Sequence, residues 1–221
     1  MLGLPKTTEM SKQLPKKVIY ERFGMNAAAK EKIDADISKI TIVNEISEGT
    51  VNIPSGSEVT SIFVLLVTLK RENFSGKTIE LLSKMISQNI LFVLEYDGES
   101  KLAVYRTRLI QSDWKSSDEQ KIEISGRNMD SVWENLIKSL ECGLWNEELT
   151  LDENLAFHEK QAKLEKEIAR LEKRARAEKQ PRKKFELASK VKMMKNELDL
   201  LSVPKARTRT KEADKVFEKY Y

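Results

Sequence analysis

The chain has 221 residues, 40% of them hydrophobic and 33% charged, with 39 Lys and Arg against 35 Asp and Glu. That length allows one domain of ordinary size plus an appendage, the charge excess points to long surfaces outside a core, and eight Gly with five Pro exclude a low-complexity chain. A lone cysteine, Cys142, excludes an internal disulfide, and no apolar run approaches the roughly 20 residues of a membrane helix.

Single-cysteine usage fits a reducing compartment. The opening "MLGLPKTTEMSKQLPKK" has no apolar core followed by a small-residue cleavage site. A soluble, cytoplasmic protein is therefore expected. Charge is unevenly distributed: residues 1–150 hold 19 basic and 22 acidic side chains, and residues 151–221 hold 20 and 13. Such a split suggests two regions with different partners.

Residues 1–17 read as a flexible lead-in, followed by an α+β domain over 18–148. "KKVIYERF" predicts a short helix that docks through Val18, Tyr20 or Phe23. "NAAAKEKIDADISKI" predicts a second, with Asn26 as N-cap and Ala28, Ile33, Ile37 and Ile40 on one face. "ITIVNEIS" is rich in β-branched residues, "TVNIP" alternates, and Pro54 with Gly56 marks a turn. "EVTSIFVLLVTLK" reads as a central strand and "SGKTIELLSKMISQ" as a helix capped at Ser75. "NILFVLEY" and "KLAVYRTRLIQ" read as two strands of a hairpin around Asp97-Gly98. "QKIEIS" adds a short strand, and "NMDSVWENLIKSL" a closing helix behind Asn128. Tight turns between strands favour an antiparallel or mixed sheet covered by helices.

Heptad spacing begins near residue 151. Phe157, Leu164 and Leu171 recur every seven residues, with Ile168 and Ala175 between, and Leu187, Val191, Met194, Leu198 and Leu201 follow Pro181. Two such helices with a short break predict an antiparallel coiled-coil hairpin over 149–201; a parallel dimer of one long helix is the rival arrangement. Residues 202–221 read as a flexible tail.

Catalytic signals are sparse. The one histidine, His158, lies among charged neighbours on a helix and reads as a surface residue. Cys142 and His158 stand alone, so no zinc set is expected. "SGKT" at 75–78 resembles the end of a phosphate loop, but Arg71 stands where that loop needs its first Gly. Glu99-Ser100-Lys101 beside Asp97, and Glu119-Gln120-Lys121, match the letters of a magnesium-nuclease strand, a pattern expected by chance in so charged a chain. Asp34 and Asp36 flank Ile33 and Ile37 and read as a solvated helix face. Trp133 reads as core, while Trp114 and Trp145 are open candidates for base stacking.

The remaining candidate is "ARLEKRARAEKQPRKKFELASK". Glu159–Lys163 and Glu172–Arg176 neutralise one another at i,i+4 spacing. The excess collects at Lys173, Arg174, Arg176, Lys179, Arg182, Lys183 and Lys184, a cationic tip suited to nucleic-acid phosphates.

The blocks "MLGLPKTTEMSKQLPKK", "AAKEKIDADISKITIVNEIS", "VLLVTLK", "QNILFVLEYDGESKLAVYRTRL" and "KLEKEIARLEKRARAEKQPRKKFEL" resemble the bacterial domain of unknown function 4391 family over nearly all of residues 1–200. The resemblance carries no catalytic motif onto this chain. It implies a genomic setting beside DNA methyltransferases and helicases in restriction-like or anti-phage clusters. The expectation is a non-enzymatic accessory subunit, with no cofactor and no metal. It is expected to dock a helicase or methyltransferase through the α+β domain, with the basic hairpin contacting nucleic acid or bracing the assembly. Alternatives are a protein-interaction or oligomerisation module and, behind it, a metal-dependent nuclease.

Overall fold

The structure, a computed structural model, describes residues 2–141 and 145–202. The chain divides into two units, Met1–Cys142 and Gly143–Tyr221. The first is a mixed α+β layer and the second contains a helical hairpin, the architecture that the sequence pattern implies.

The first unit opens with a 3-10 turn, Lys6–Thr8, then β1 (Glu9–Gln13), α1 (Lys16–Arg22), α2 (Ala27–Asp36) and β2 (Ile37–Ser47). It continues through α3 (Glu48–Val51), β3 (Ser61–Leu69), α4 (Gly76–Met85), β4 (Asn89–Tyr96) and β5 (Glu99–Tyr105), and ends with β6 (Leu109–Gln111), β7 (Lys115–Ser116) and α5 (Met129–Leu140). The strands form one seven-stranded sheet in the order β1-β2-β3-β4-β5-β6, with β7 sharing the free edge of β5. Only β3 and β4 run parallel, and α4 is their crossover. A tight hairpin cannot join parallel strands, so a longer crossover is needed, and here it carries α4.

Five expectations are corrected here. The lead-in over 1–17 is not featureless: β1 pairs antiparallel with β2. The second helix stops at Asp36, and Ile37 and Ile40 belong to β2. From Ile37 onward β-branched side chains favour the extended backbone, and the Asp36 carbonyl takes the N–H of Lys70 at 2.8 Å, which starts the pairing. "TVNIP" is no strand; Ser47 and Thr50 close a capping box on the single turn of α3, and Asn52 ends it at φ 55°. "KLAVYRTRLIQ" is two strands, reversed where Arg106 N–H reaches Arg108 O at 3.2 Å. A straight strand would carry Arg106 and Arg108 along the buried row of Leu102 and Val104, at a desolvation cost. The reversal sets Ile110 opposite Val104 instead, and Arg108 pairs with Glu141. "QKIEIS" stays irregular, its Ile122 N–H bonded to Leu2 O at 2.9 Å.

Other expectations hold. Asn26 and Asn128 accept backbone N–H bonds as N-caps of α2 and α5. Asp97 and Gly98 turn the β4–β5 hairpin with φ of 49° and 80°. The core on one sheet face joins Leu65, Val67, Phe92 and Leu94 to Ile33 of α2 and to Ile79 and Leu82 of α4. Helix α1 docks through Tyr20 and Phe23, as expected, and adds the buried Ile19, whereas Val18 is exposed.

One carboxylate ties that layer together. Asp36, 1% exposed, accepts from the Nε (2.8 Å) and Nη2 of Arg71, from Ser75 N–H at 3.0 Å and from the Thr78 hydroxyl at 2.7 Å. Ser75 is the N-cap residue of α4, yet its own hydroxyl does not cap; the Asp36 carboxylate instead fixes this end of the helix through the Ser75 N–H and the Thr78 hydroxyl. Burial opposes the charge, but the bonds from Thr78, Ser75 and Arg71 outweigh it and hold the carboxyl below its ordinary range. Asp36→Ala is expected to destabilise the protein by about 3 kcal/mol in urea titration, with faster hydrogen exchange in the first turn of α4. An unchanged midpoint would contradict this role.

Asp130, in the first turn of α5, gathers the loop before β3. It accepts from Val59 N–H at 2.7 Å, Ser57 N–H at 2.7 Å, Ser57 hydroxyl at 2.8 Å and Glu58 N–H at 3.1 Å. The Val59 and Ser57 bonds lower its pKa from 3.8 to about 2. The folded value is below the unfolded one, so the contribution is full above 3.8 and is lost as pH falls through about 2. Thermal melts of Asp130→Asn should therefore show a lower Tm than the parent at neutral pH, with the gap closing as pH drops across that window. A constant gap would refute it.

Candidate nucleic-acid interface

In the second unit, α6 spans Leu151–Ala177 and α7 spans Pro181–Ser202. Thr150 and Glu153 close a capping box at the start of α6, and Pro181 is the first residue of α7, where its missing N–H costs nothing. Twenty-seven residues extend α6 over about 40 Å. The tail expected over 202–221 lies outside the described residues, apart from Ser202 at the end of α7.

The two helices pack against each other within one chain. Ile168, Leu171 and Val191 are buried, with Leu187, Met194 and Leu198 packed around them. These are the residues that heptad spacing selects, and the intramolecular hairpin displaces the rival parallel dimer. Ion pairs flank the seam: Lys195–Glu172 at 2.8 Å and Lys160–Glu197 at 3.2 Å cross between helices. Glu159–Lys163 and Glu172–Arg176 form along α6, as their spacing implies.

The connection is three residues, Glu178 to Gln180. Glu178 accepts from Gln180 N–H at 2.9 Å, and this bond holds its carboxyl below the ordinary range. Gln180 O accepts from Lys184 N–H at 3.0 Å, the first bond of α7. All seven basic residues, Lys173, Arg174, Arg176, Lys179, Arg182, Lys183 and Lys184, are exposed around this turn. Arg176 pairs with Glu172 at 3.7 Å and Arg182 with Glu186 at 3.5 Å. No ion pair within 4.0 Å occupies the other five among the described residues. Arg176 and Lys184 line one shallow groove between the helices, beside Ala175 and Ala188.

The other singled-out residues are scattered. Lys101 lies over Phe74 and Trp114, its Nζ 4.8 and 4.7 Å from the ring centroids. Burial there holds its ammonium below the ordinary lysine range, against the pull of Glu72 and Asp113. Trp114 thus has a partner, and Trp133 is core. Trp145 meets His158 edge-on, centroids 5.0 Å apart. His158 is a correction: it is buried, 8% exposed. Leu151, Asn154, Leu155 and His158 follow i, i+3, i+4, i+7 spacing and are all buried, a stripe that its charged sequence neighbours conceal. Asp36 is likewise a buried anchor and not a solvated face. Glu99, Glu119 and Lys121 are exposed. Among the described residues no three His, Cys, Asp or Glu side chains gather as a metal site, and no helix is long and apolar enough to cross a membrane. Cys142 lies outside the described residues.

A family profile, domain of unknown function (DUF4391), matches residues 2–198. The chain belongs to this family. The match spans both the sheet and the hairpin, so the basic tip lies within the family domain. No curated protein and no solved structure matches the chain.

The hairpin depends on its narrow seam. Leu171→Ala, at a residue 3% exposed, is expected to cost about 3 kcal/mol. Hydrogen exchange in both α6 and α7 should accelerate, and protection that stays unchanged in α7 would argue against the packing described.

Proposed function

We propose that this protein is a non-enzymatic accessory subunit of a bacterial DNA-modification or anti-phage system. In this reading the hairpin tip holds nucleic-acid phosphates and the α+β unit docks a helicase or methyltransferase. One observation carries the reading. Five exposed cations, Lys173, Arg174, Lys179, Lys183 and Lys184, stand around one turn without an ion pair within 4.0 Å among the described residues, while Lys160, Lys163, Arg170 and Lys195, farther along the hairpin, are paired. Paired charges have little left for a polyanion, whereas clustered unpaired ones neutralise phosphates and release the cations condensed on the nucleic acid.

A protein-interaction module is the second reading. It is favoured by Phe185, Met193 and Leu200 on α7, which are 74%, 71% and 77% exposed.

Charge reversal of Lys173, Lys179, Lys183 and Lys184 to Glu is the test. Fluorescence anisotropy with a short DNA duplex, repeated over a range of salt, should show weaker binding by the variant. The slope of log affinity against log salt should flatten by about 0.9 for each phosphate that the variant no longer neutralises, with unchanged far-ultraviolet circular dichroism. Equal affinity and slope would sink the proposal. A concentration-dependent mass increase that disappears on Phe185→Ser and Met193→Ser would favour the interaction module.

A further inference from the structure

The sheet face opposite α2 and α4 carries a second set of side chains. Ladder register aligns Leu66 with Val93 and Glu95 with Ser100. By strand alternation these point away from Leu65, Phe92 and Leu94, which face the helices. Helix α5 lies against β5 and β6. A cavity of about 580 Å³ opens on this face, floored by Val43, Leu66 and Val93.

Its outer wall is the N-terminal segment, through Leu2, Leu4 and Met10. This wall is built into the fold. Leu2 O holds Ile122 N–H at 2.9 Å, and Thr8 bonds Pro5 O at 2.7 Å and accepts from Asn44 Nδ2 at 2.8 Å. Strand β1 then fastens to β2.

Polar groups converge on this apolar space. Ser100 is 2% exposed and lines the cavity, yet its Oγ has no hydrogen-bond partner among the described residues. The Oγ of Ser117, on the same lining, has none either. A buried hydroxyl left so costs about 1–3 kcal/mol. Glu95 is the direct cross-strand partner of Ser100, which puts their Cβ atoms about 5 Å apart. Glu95 and Glu9 both line the cavity, and none of its lining residues is basic.

The volume falls in the range of small-molecule sites, about 300–1,000 Å³. Carboxylates only accept, and hydroxyl oxygens accept as well, so the complementary group is a compact donor of positive charge. An ammonium offers three donors and no acceptor. An apolar tail behind it would cover the Leu, Val and Met surface, whereas an anion would meet two carboxylates.

We infer that this cavity binds a small primary amine with an apolar tail, its ammonium held by Glu95, Ser100 and Ser117. The proposal is independent of the hairpin tip. The test uses the full chain and protein-detected NMR, with hexylamine, hexanol, hexanoate and Nα-acetyl-lysine methylamide as probes. Hexylamine should shift the amides of Glu95, Ser100 and Ser117 and bind about tenfold more tightly than hexanol, with hexanoate weaker still. Glu95→Gln should erase the preference for amine over alcohol. Ser100→Ala should weaken hexylamine without lowering Tm, which keeps the test decisive if the Gln variant does not fold. Equal affinity for hexylamine, hexanol and hexanoate, or shifts confined to other acidic surfaces, would overturn the site. Tighter binding of the lysine derivative than of hexylamine would overturn the small-molecule assignment in favour of a peptide side chain.

Discussion

The Asp36 carboxylate is the point on which the α+β layer turns. It sits where α2 becomes β2, and it reaches the junction of β3 and α4 through Arg71, Ser75 and Thr78. Its own carbonyl starts the β2–β3 pairing at Lys70. One residue thus orients two helices and two strands, and the parallel β3–β4 crossover follows from how α4 is launched. Around it, Asp34 takes the Tyr20 hydroxyl at 2.8 Å and the Lys16 ammonium, drawing α1 onto the same corner. A buried charge of this kind is tolerated because every oxygen is occupied.

The hairpin solves a different problem. It has little apolar surface, and its seam is a few residues wide. Paired charges cover the faces on either side of that seam, each pair worth little individually. Around the turn Leu171 and Leu187 still belong to the seam, but the cations outnumber their acidic partners, so unpaired positive charge collects there. That geometry presents charge at the turn of a two-helix hairpin. Local helix packing fixes where the tip is relative to its own two helices, and so a phosphate contact there would have a defined register within the hairpin.

The sheet shows what strand alternation does to neighbouring residues in a motif. Glu99-Ser100-Lys101 looks like one chemical unit in the sequence. In the fold Ser100 faces the N-terminal segment while Lys101 lies on Phe74 and Trp114 on the other side. Glu99 and Lys101, the two letters of a metal-nuclease strand, alternate onto one face, where Lys101 is held over the rings and Glu99 is exposed, and Ser100 between them takes the other face.

Sequence alone determined the α+β class, the central β3, the Asp97-Gly98 hairpin, the Asn26 and Asn128 caps and the heptad positions of two C-terminal helices with a basic turn between them; that these close on each other within one chain came with the tertiary packing. The features legible in sequence all rest on short-range signals: side-chain period, positive-φ turns, capping and i,i+4 charge pairs. Tertiary structure alone decided that residues 9–13 join the sheet, that β5 folds back at Arg106–Arg108, that Asp36 is buried and that His158 faces inward. It also gathered Glu95, Ser100, Ser117 and the N-terminal wall into one cavity. The reason is common to these cases. An edge strand needs a partner, a buried carboxylate needs donors from 35 to 42 positions away, and a cavity needs walls from separate segments, none of which local periodicity encodes.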